Sequence, residues 1–275
     1  MKVQSLFFVV FVAVAAGQQY TRCGVQDPSD ALKAAHNEAY LSRISNSSAT
    51  TSRNVDTYVH VVTSTTKQND YSKAMVQEQM KVMNDAYSGW GVTFNTVAIN
   101  FTVNDAWASA AMESDEEYDM KAALRQGSYA DLNLYFTSDL PDGLLGFCYF
   151  PVDSPTKQDR ILDGCMCLAD SMPHGSATHY DLGYTAVHET GHWFGLYHTF
   201  QGESCSGSGD YVSDTPIQKT PTSGCPARQD SCPKQPGLDN IHNFMDYGYD
   251  SCMTLFTHGQ QTRGLAIYDQ ERAGK

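Results

Sequence analysis

The stretch His188-Glu189-Thr190-Gly191-His192-Trp193-Phe194-Gly195-Leu196-Tyr197-His198 decides how this chain is read. On a helix, His188 and His192 are four residues apart and share one face, one turn above the other. Two imidazoles in that relation grip one metal ion, and Glu189 stands beside them, placed to act on a water bound to that metal. Gly195 offers a residue that can take positive φ and end the helix, so the chain can turn there and bring up His198 as a third ligand. Three neutral histidines leave the fourth tetrahedral position of Zn²⁺ open to water, the arrangement of a catalytic rather than a structural site. A bare H-E-x-x-H arises by chance in about one chain in a hundred of this length, and fixing Gly195 and His198 as well lowers that to about one in a hundred thousand. A buried helix whose histidines only satisfy core hydrogen bonds is the weaker reading.

The chain has 275 residues and opens with Met1-Lys2 and an apolar run from Leu6 to Ala16, followed by Gly17 and the polar Gln18-Gln19. That run is too short to span a bilayer and ends in small residues, so residues 1–17 read as a secretory signal peptide, with an uncleaved anchor as the alternative. No later stretch is long and apolar enough to cross a membrane, and the polar end from Gln270 to Lys275 excludes a lipid-anchor signal. A soluble, secreted product is expected. The net charge is −13, and loss of Lys2 with the signal makes it more negative. Such a surface repels nucleic acid.

The eight cysteines are Cys23, Cys148, Cys165, Cys167, Cys205, Cys225, Cys232 and Cys252. In an oxidising compartment an even count favours disulfides, and the paired C-x₂-C knuckles of a thiolate zinc site are missing. The sequons Asn46-Ser47-Ser48 and Asn100-Phe101-Thr102 are candidate glycan acceptors.

Working outward from the motif, the earlier half reads as mixed α and β. A helical run covers Ser29 to Leu41, and a polar stretch from Ser42 to Asn54 has the composition of a protease-sensitive linker. Residues 18–54 are therefore expected to be a pro-segment or N-terminal extension, and residues 55–275 the catalytic domain. Val55–Val62 alternates like a strand. Ser72–Tyr87 carries Met75, Val76, Met80, Met83 and Tyr87 at helical spacing, with Ser72 as N-cap and the methionines as core. Val92–Val103 reads as a kinked strand, Glu116–Arg125 as a helix, Leu132–Phe136 as a strand, and Gly146–Phe150 as a short strand ended by Pro151. The motif helix begins near Thr185. Residues 199–256 are dense in Gly, Pro, Ser, Asp and Cys, so cross-links are the expected source of order there. A last helix covers Thr257 to Glu271.

The motif helix, together with Asn243-Phe244-Met245-Asp246-Tyr247, resembles the metzincin clan of zinc endopeptidases, which carry a tight methionine turn beneath the metal. The resemblance is closer to the pappalysin family, including secreted fungal-type members. It is carried also by Gly209-Asp210-Tyr211-Val212-Ser213-Asp214-Thr215-Pro216, Gly224-Cys225-Pro226, Asp250-Ser251-Cys252-Met253 and Phe256-Thr257-His258-Gly259-Gln260. It covers about the last 130 residues densely and the earlier half loosely. The resemblance implies an α+β, metzincin-like domain: a mixed twisted sheet, an active-site helix and a loop-rich, disulfide-bonded C-terminal subdomain. It implies endopeptidase activity on proteins or peptides, with His188, His192 and His198 as zinc ligands, Glu189 as general base and Met245 as turn residue. Tyr247 matches a tyrosine that stabilises the oxyanion in relatives, with a packed aromatic as its plainer role. The implied pairings are Cys205–Cys232 and Cys225–Cys252, leaving Cys148–Cys165 as a third. A calcium site using Asp210 and Asp214 is a further implication, with turn capping as the alternative. A monomer is expected.

Arg22-Cys23-Gly24-Val25 looks like the cysteine-switch motif of matrix metalloproteinases, in which a thiolate fills the open zinc position of the zymogen. The rival is a Cys23–Cys167 disulfide, and the sequence leaves both open. His174, His179, His242 and His258 are expected to be surface or supporting residues, since three histidines complete the site. Two other functional readings are weaker. A zinc peptidase with a glutamate third ligand does not need Gly195 and His198, and an inactive zinc-binding adhesin or decoy would not need Glu189. The substrate is not legible.

Overall fold

The computed structural model describes residues 20–46 and 52–275, so the expected signal peptide lies outside the described residues. Helix α1 (Asp30–Asn46) runs five residues past the expected end at Leu41, into the stretch read as a linker. Tertiary packing overrides composition here. The helix lies along the C-terminal helix α7 (His258–Glu271), and Arg43 Nη1 donates to Asp269 of that helix at 2.7 Å. Strand β1 (Arg53–Thr63) begins two residues before the expected Val55.

Helix α2 (Lys73–Ala86) starts where expected: Ser72 Oγ accepts from Met75 N at 3.3 Å, and Val76, Met80 and Met83 go into the core. Strand β2 (Val92–Val103) pairs in parallel with β1, and its kink is a bulge. Thr57 pairs with Thr96 and Tyr58 with Ala98, so Val97 is the extra residue. The short helix α3 (Asp105–Ala108) and helix α4 (Asp115–Leu124) lead to β3 (Leu132–Thr137), which pairs in parallel with β1. Next come β4 (Gly146–Cys148), the short helix α5 (Lys157–Leu162) and β5 (Cys165–Leu168).

The sheet order is β2-β1-β3-β5-β4, parallel except for β4, which runs antiparallel to β5. Sequence reading misses β5. Its four residues, Cys165-Met166-Cys167-Leu168, are all buried, so no alternation marks them. The expected β4 is two residues too long, because pairing ends at Cys148.

The motif helix α6 (Tyr184–Trp193) packs against β4, β5 and α2. An aromatic cluster of Tyr87, Trp90, Phe94, Phe194 and Phe256 fills the core beneath it. The segment beyond it is irregular, as expected, and carries Cys205–Cys232 and Cys225–Cys252; Cys148–Cys165 ties β4 to β5. Helix α7 closes the chain with a capping box between Thr257 and Gln260, and Arg272 just beyond it donates from Nε to Trp193 O at 2.9 Å. The C-terminus thus clamps the end of the motif helix.

Candidate active site

Helix α6 stops at Trp193 because Gly195 takes φ 90°, with its amide bonded to His192 O at 2.8 Å. The chain then climbs back to present His198 beside His188 and His192. Beneath them the turn at Met245 comes close to the helix. A Cβ on Gly191 would lie 2.4 Å from Met245 Sδ, so only glycine permits that approach.

The three imidazoles converge. His192 Nε2 lies 3.2 Å from His188 Nε2 and 3.1 Å from His198 Nε2. The other ring nitrogens fix the tautomers, for His188 Nδ1 donates to Phe244 O at 2.6 Å and His192 Nδ1 to Leu196 O at 2.8 Å. Carbonyl oxygens only accept, so the Nε2 atoms of both rings bear lone pairs that face each other. Two such lone pairs repel unless a cation sits between them. Tetrahedral Zn²⁺ with nitrogen ligands at ~2.0–2.1 Å sets its ligand atoms about 3.3 Å apart, so the donor set fits. Burial lowers all three pKa values, that of His192 to about 4, which keeps the rings neutral as metal binding requires.

Glu189 is fully buried, and burial pushes its carboxyl well up; its Oε1 has no hydrogen-bond partner in the protein. Cys23 Sγ donates to Glu189 Oε2 at 3.4 Å. The sulfur and the three histidine nitrogens all lie within 4.8 Å of one another, and this is the metal-capable group of His, Cys, Asp and Glu among the described residues. Burial and the Glu189 charge push the thiol up, so the protein groups alone keep it protonated; a divalent cation held there would favour the thiolate instead. Cys23 and Cys167 are both free, so the rival disulfide is not formed. Cys167 lies buried in β5.

Tyr247 Oη donates to Cys23 O at 3.2 Å and lies 3.3 Å from His198 Nε2. Burial raises its pKa, so the phenol stays a donor. None of His174, His179, His242 and His258 joins the group: His174 pairs with Glu78 at the surface, and His179 stacks on Tyr249. Asp210 accepts from Val212 N and Thr215 Oγ1, and Asp214 accepts from Gly259 N in the first turn of α7. Both therefore do the work of turn and helix capping.

The sequence reading missed the partner of Arg22. The segment around Cys23 lies along the outer edge of β4 and runs parallel to it, with Thr21 N bonded to Gly143 O and Gly24 N to Gly146 O at 2.9 Å each. Arg22 thereby enters a pocket beside the metal-binding group. Its Nη2 bonds Asp250 Oδ1 and, at 3.0 Å, Gly248 O, and the guanidinium lies 4.8 Å above the Tyr180 ring. Both charged side chains are almost fully buried. No one-dimensional signal joins residues 228 positions apart.

Residues 121–269 match the family model of peptidase M43, described as pregnancy-associated plasma protein-A. The chain is 49% identical over 268 residues to an extracellular metalloprotease of Pyricularia oryzae, covering 92% of this chain and 90% of that one. It is 52% identical over 224 residues to extracellular metalloprotease 1 of Coccidioides posadasii, covering 80% and 79%. Among solved structures it is similar to mature mirolysin of Tannerella forsythia in complex with a cleaved peptide, at TM-score 0.67 and 29% identity over 82% of this chain and 97% of that one. A promirolysin mutant matches at TM-score 0.70 and 27% identity, over 91% of this chain and 96% of its own.

Proposed function

The chain belongs to the peptidase M43, or pappalysin, family of metalloproteases, and from that premise we propose that it is a secreted zinc endopeptidase made as a latent precursor. The observation that carries the zinc reading is the pair of fixed tautomers at His188 and His192, which turn two Nε2 lone pairs toward one point beside His198. Zinc held there by His188, His192 and His198 would supply a Lewis acid that makes water nucleophilic near neutral pH and polarises the scissile carbonyl.

Glu189 takes a proton from the attacking water and passes it to the leaving amine; its burial suits a carboxyl that must carry a proton near neutral pH. Tyr247, kept as a phenol, donates to the developing oxyanion. The Nδ1 bonds to Phe244 O and Leu196 O hold the ligand rings in orientation. The retained Glu189 argues against an inactive adhesin or decoy.

Residues 1–17 are the secretion signal in this reading, and the segment up to the start of β1 is the pro-segment. Promirolysin matches a larger share of this chain than mature mirolysin does, 91% against 82%, which supports that division. Cys23 closes the metal site and withholds Glu189. In this reading a substrate pairs antiparallel with β4, the stronger ladder, so residues 21–24, which run parallel to it, lie in the opposite direction and inhibit without being cut. The Arg22 pocket then receives the residue just after the cleaved bond. Arginine is the side chain that satisfies Asp250, Gly248 O and the Tyr180 face together.

The test is metal analysis and cleavage-site profiling of the mature enzyme. One zinc per chain, activity abolished by a chelator, and arginine after the cut are expected. Full turnover in metal-free protein overturns the zinc reading.

A further inference from the structure

Next to the Arg22 pocket, and sharing Tyr180 with it, lies a groove of about 750 Å³, lined among others by Tyr249, His179, Lys67 and Asp170. Tyr20 enters it. In an extended segment, residues two apart face the same way, so Tyr20 and Arg22 are presented to the same wall. Both meet Tyr180. Arg22 lies over its face at 4.8 Å, while the Tyr20 ring meets it edge-on, with centroids 5.9 Å apart and planes at 78°. Tyr180 is held in turn against Tyr249, edge-on at 5.5 Å, and Tyr249 stacks on His179 at 4.1 Å. The result is a three-ring wall, rigid because each ring is supported by the next.

Lys67 and Asp170 line the same groove, and the partly buried Tyr20 phenol has its pKa raised by that burial and by the Asp170 charge, against the opposing effect of Lys67. Thr21 between them is anchored only through its backbone, to Gly143 O and Leu145 N. The wall therefore reads the alternate residues of an extended chain and leaves the middle one free.

We infer that this groove is a substrate subsite for an aromatic side chain, tyrosine or phenylalanine, at the third residue after the cleaved bond. It rests on the proposed reading of the Arg22 pocket as the place of the first residue after that bond. The favoured substrate is then a protein segment of the pattern Arg-any-aromatic, cut before the arginine, with a non-aromatic third residue cut more slowly rather than refused. Tyr180 serves both positions, so the two preferences reinforce each other through one ring. An edge-to-face aromatic pair corresponds to a preference of about two- to tenfold over alanine.

Two peptide series on the mature enzyme test this. One varies the third residue (Tyr, Phe, Leu, Ala, Glu) with arginine fixed, and the other varies the first residue (Arg, Ala, Glu) with tyrosine fixed. Expected is a kcat/KM higher for Tyr and Phe than for Ala by about two- to tenfold, with the Tyr-to-Ala ratio falling towards one in Tyr180→Leu. Peptide Kd values for Glu189→Ala should give the same ranking without turnover. Indifference to the third residue in both kcat/KM and Kd overturns the subsite, as does a Tyr-to-Ala ratio unchanged in Tyr180→Leu. If the third residue is indifferent while arginine is still preferred, only the subsite falls; if the first residue is indifferent as well, the reading of the Arg22 pocket falls with it.

Discussion

The Cys23 thiol donates to Glu189 at 3.4 Å while standing among the three histidine nitrogens. One sulfur thus meets the metal-binding group and the proposed base at once. Replacing it frees both. The intact Cys23→Ala precursor should cleave a fluorogenic peptide at least about tenfold faster than the intact wild-type precursor, given the strength with which zinc holds thiolates. Mass spectrometry must show the N-terminal segment uncut in the assay. An intact variant as silent as wild type would mean that the Arg22 anchor alone closes the cleft.

Glu189 is the residue on which the distinction between enzyme and decoy depends. Glu189→Ala should keep its zinc, since the ligands and their Nδ1 partners are untouched, and lose about 10²–10⁴-fold in kcat/KM. Metal analysis beside turnover reads both. Zinc loss in the variant would make the glutamate a structural support of the site instead.

Gly195 sets the reach from the helix to His198. At φ 90° an alanine is strained, and its Cβ would lie 2.8 Å from two atoms of Ile267. Gly195→Ala should cost about 2–4 kcal/mol in stability and weaken zinc binding, because relief of the clash moves the third ligand. Thermal unfolding with and without chelator reads the two effects separately. An unchanged Tm would show that the turn absorbs a side chain.

How much of this was legible in sequence follows from what kind of signal each feature leaves. The candidate ligands sit within eleven consecutive residues whose spacing is dictated by helical geometry and one glycine, and those residues come together as the spacing implies. Helix α2 and strand β1 declared themselves by periodicity. Strand β5 did not, because burial on both faces removes alternation and leaves four apolar residues. Helix α1 ran on through polar residues because its order comes from α7, a contact with no local trace. The pairing of Arg22 with Asp250 belongs to the same class: each residue is ordinary alone, and only the chain's path along β4 brings them together.

His36 gives the N-terminal segment a pH dependence. It is buried on α1, donating from Nε2 to Pro151 O at 2.9 Å and therefore accepting at Nδ1 from Tyr197 Oη at 3.0 Å. Burial, with the charges of Arg263 and Arg272, lowers its pKa to about 4. The released segment would carry an ordinary histidine, which binds a proton more readily. Docking is therefore at full strength above about pH 6.5 and weakens as pH falls towards 4, by about 3 kcal/mol at most. Hydrogen exchange or limited proteolysis of α1 at pH 7 and pH 4.5 should show the loosening, and His36→Gln should flatten its pH dependence. Equal protection of wild type at both values would exclude it.

Maturation should leave Arg53 as the first residue of the active enzyme. Between the end of α1 and the start of β1 the chain reads Ser47-Ser48-Ala49-Thr50-Thr51-Ser52-Arg53, with one arginine. If the pocket beside the metal takes arginine just after the cut, a second copy of the enzyme would cleave the Ser52–Arg53 bond. The product keeps its structure, because β1 begins at Arg53, whose amide bonds Gly91 O at 2.9 Å and whose Nε bonds Asp269 at 2.6 Å. Asp269 also holds Arg43 of α1, so after the cut the same carboxylate retains the catalytic domain's arginine while the helix is free to leave. N-terminal sequencing of the secreted protein should begin Arg-Asn-Val-Asp. Glu189→Ala should remain uncut unless wild-type enzyme is added, and Arg53→Ala should stay uncut or be cut elsewhere. A wild-type enzyme that begins at another residue, or an Arg53→Ala variant cut at the same bond, would place maturation in the hands of a different protease.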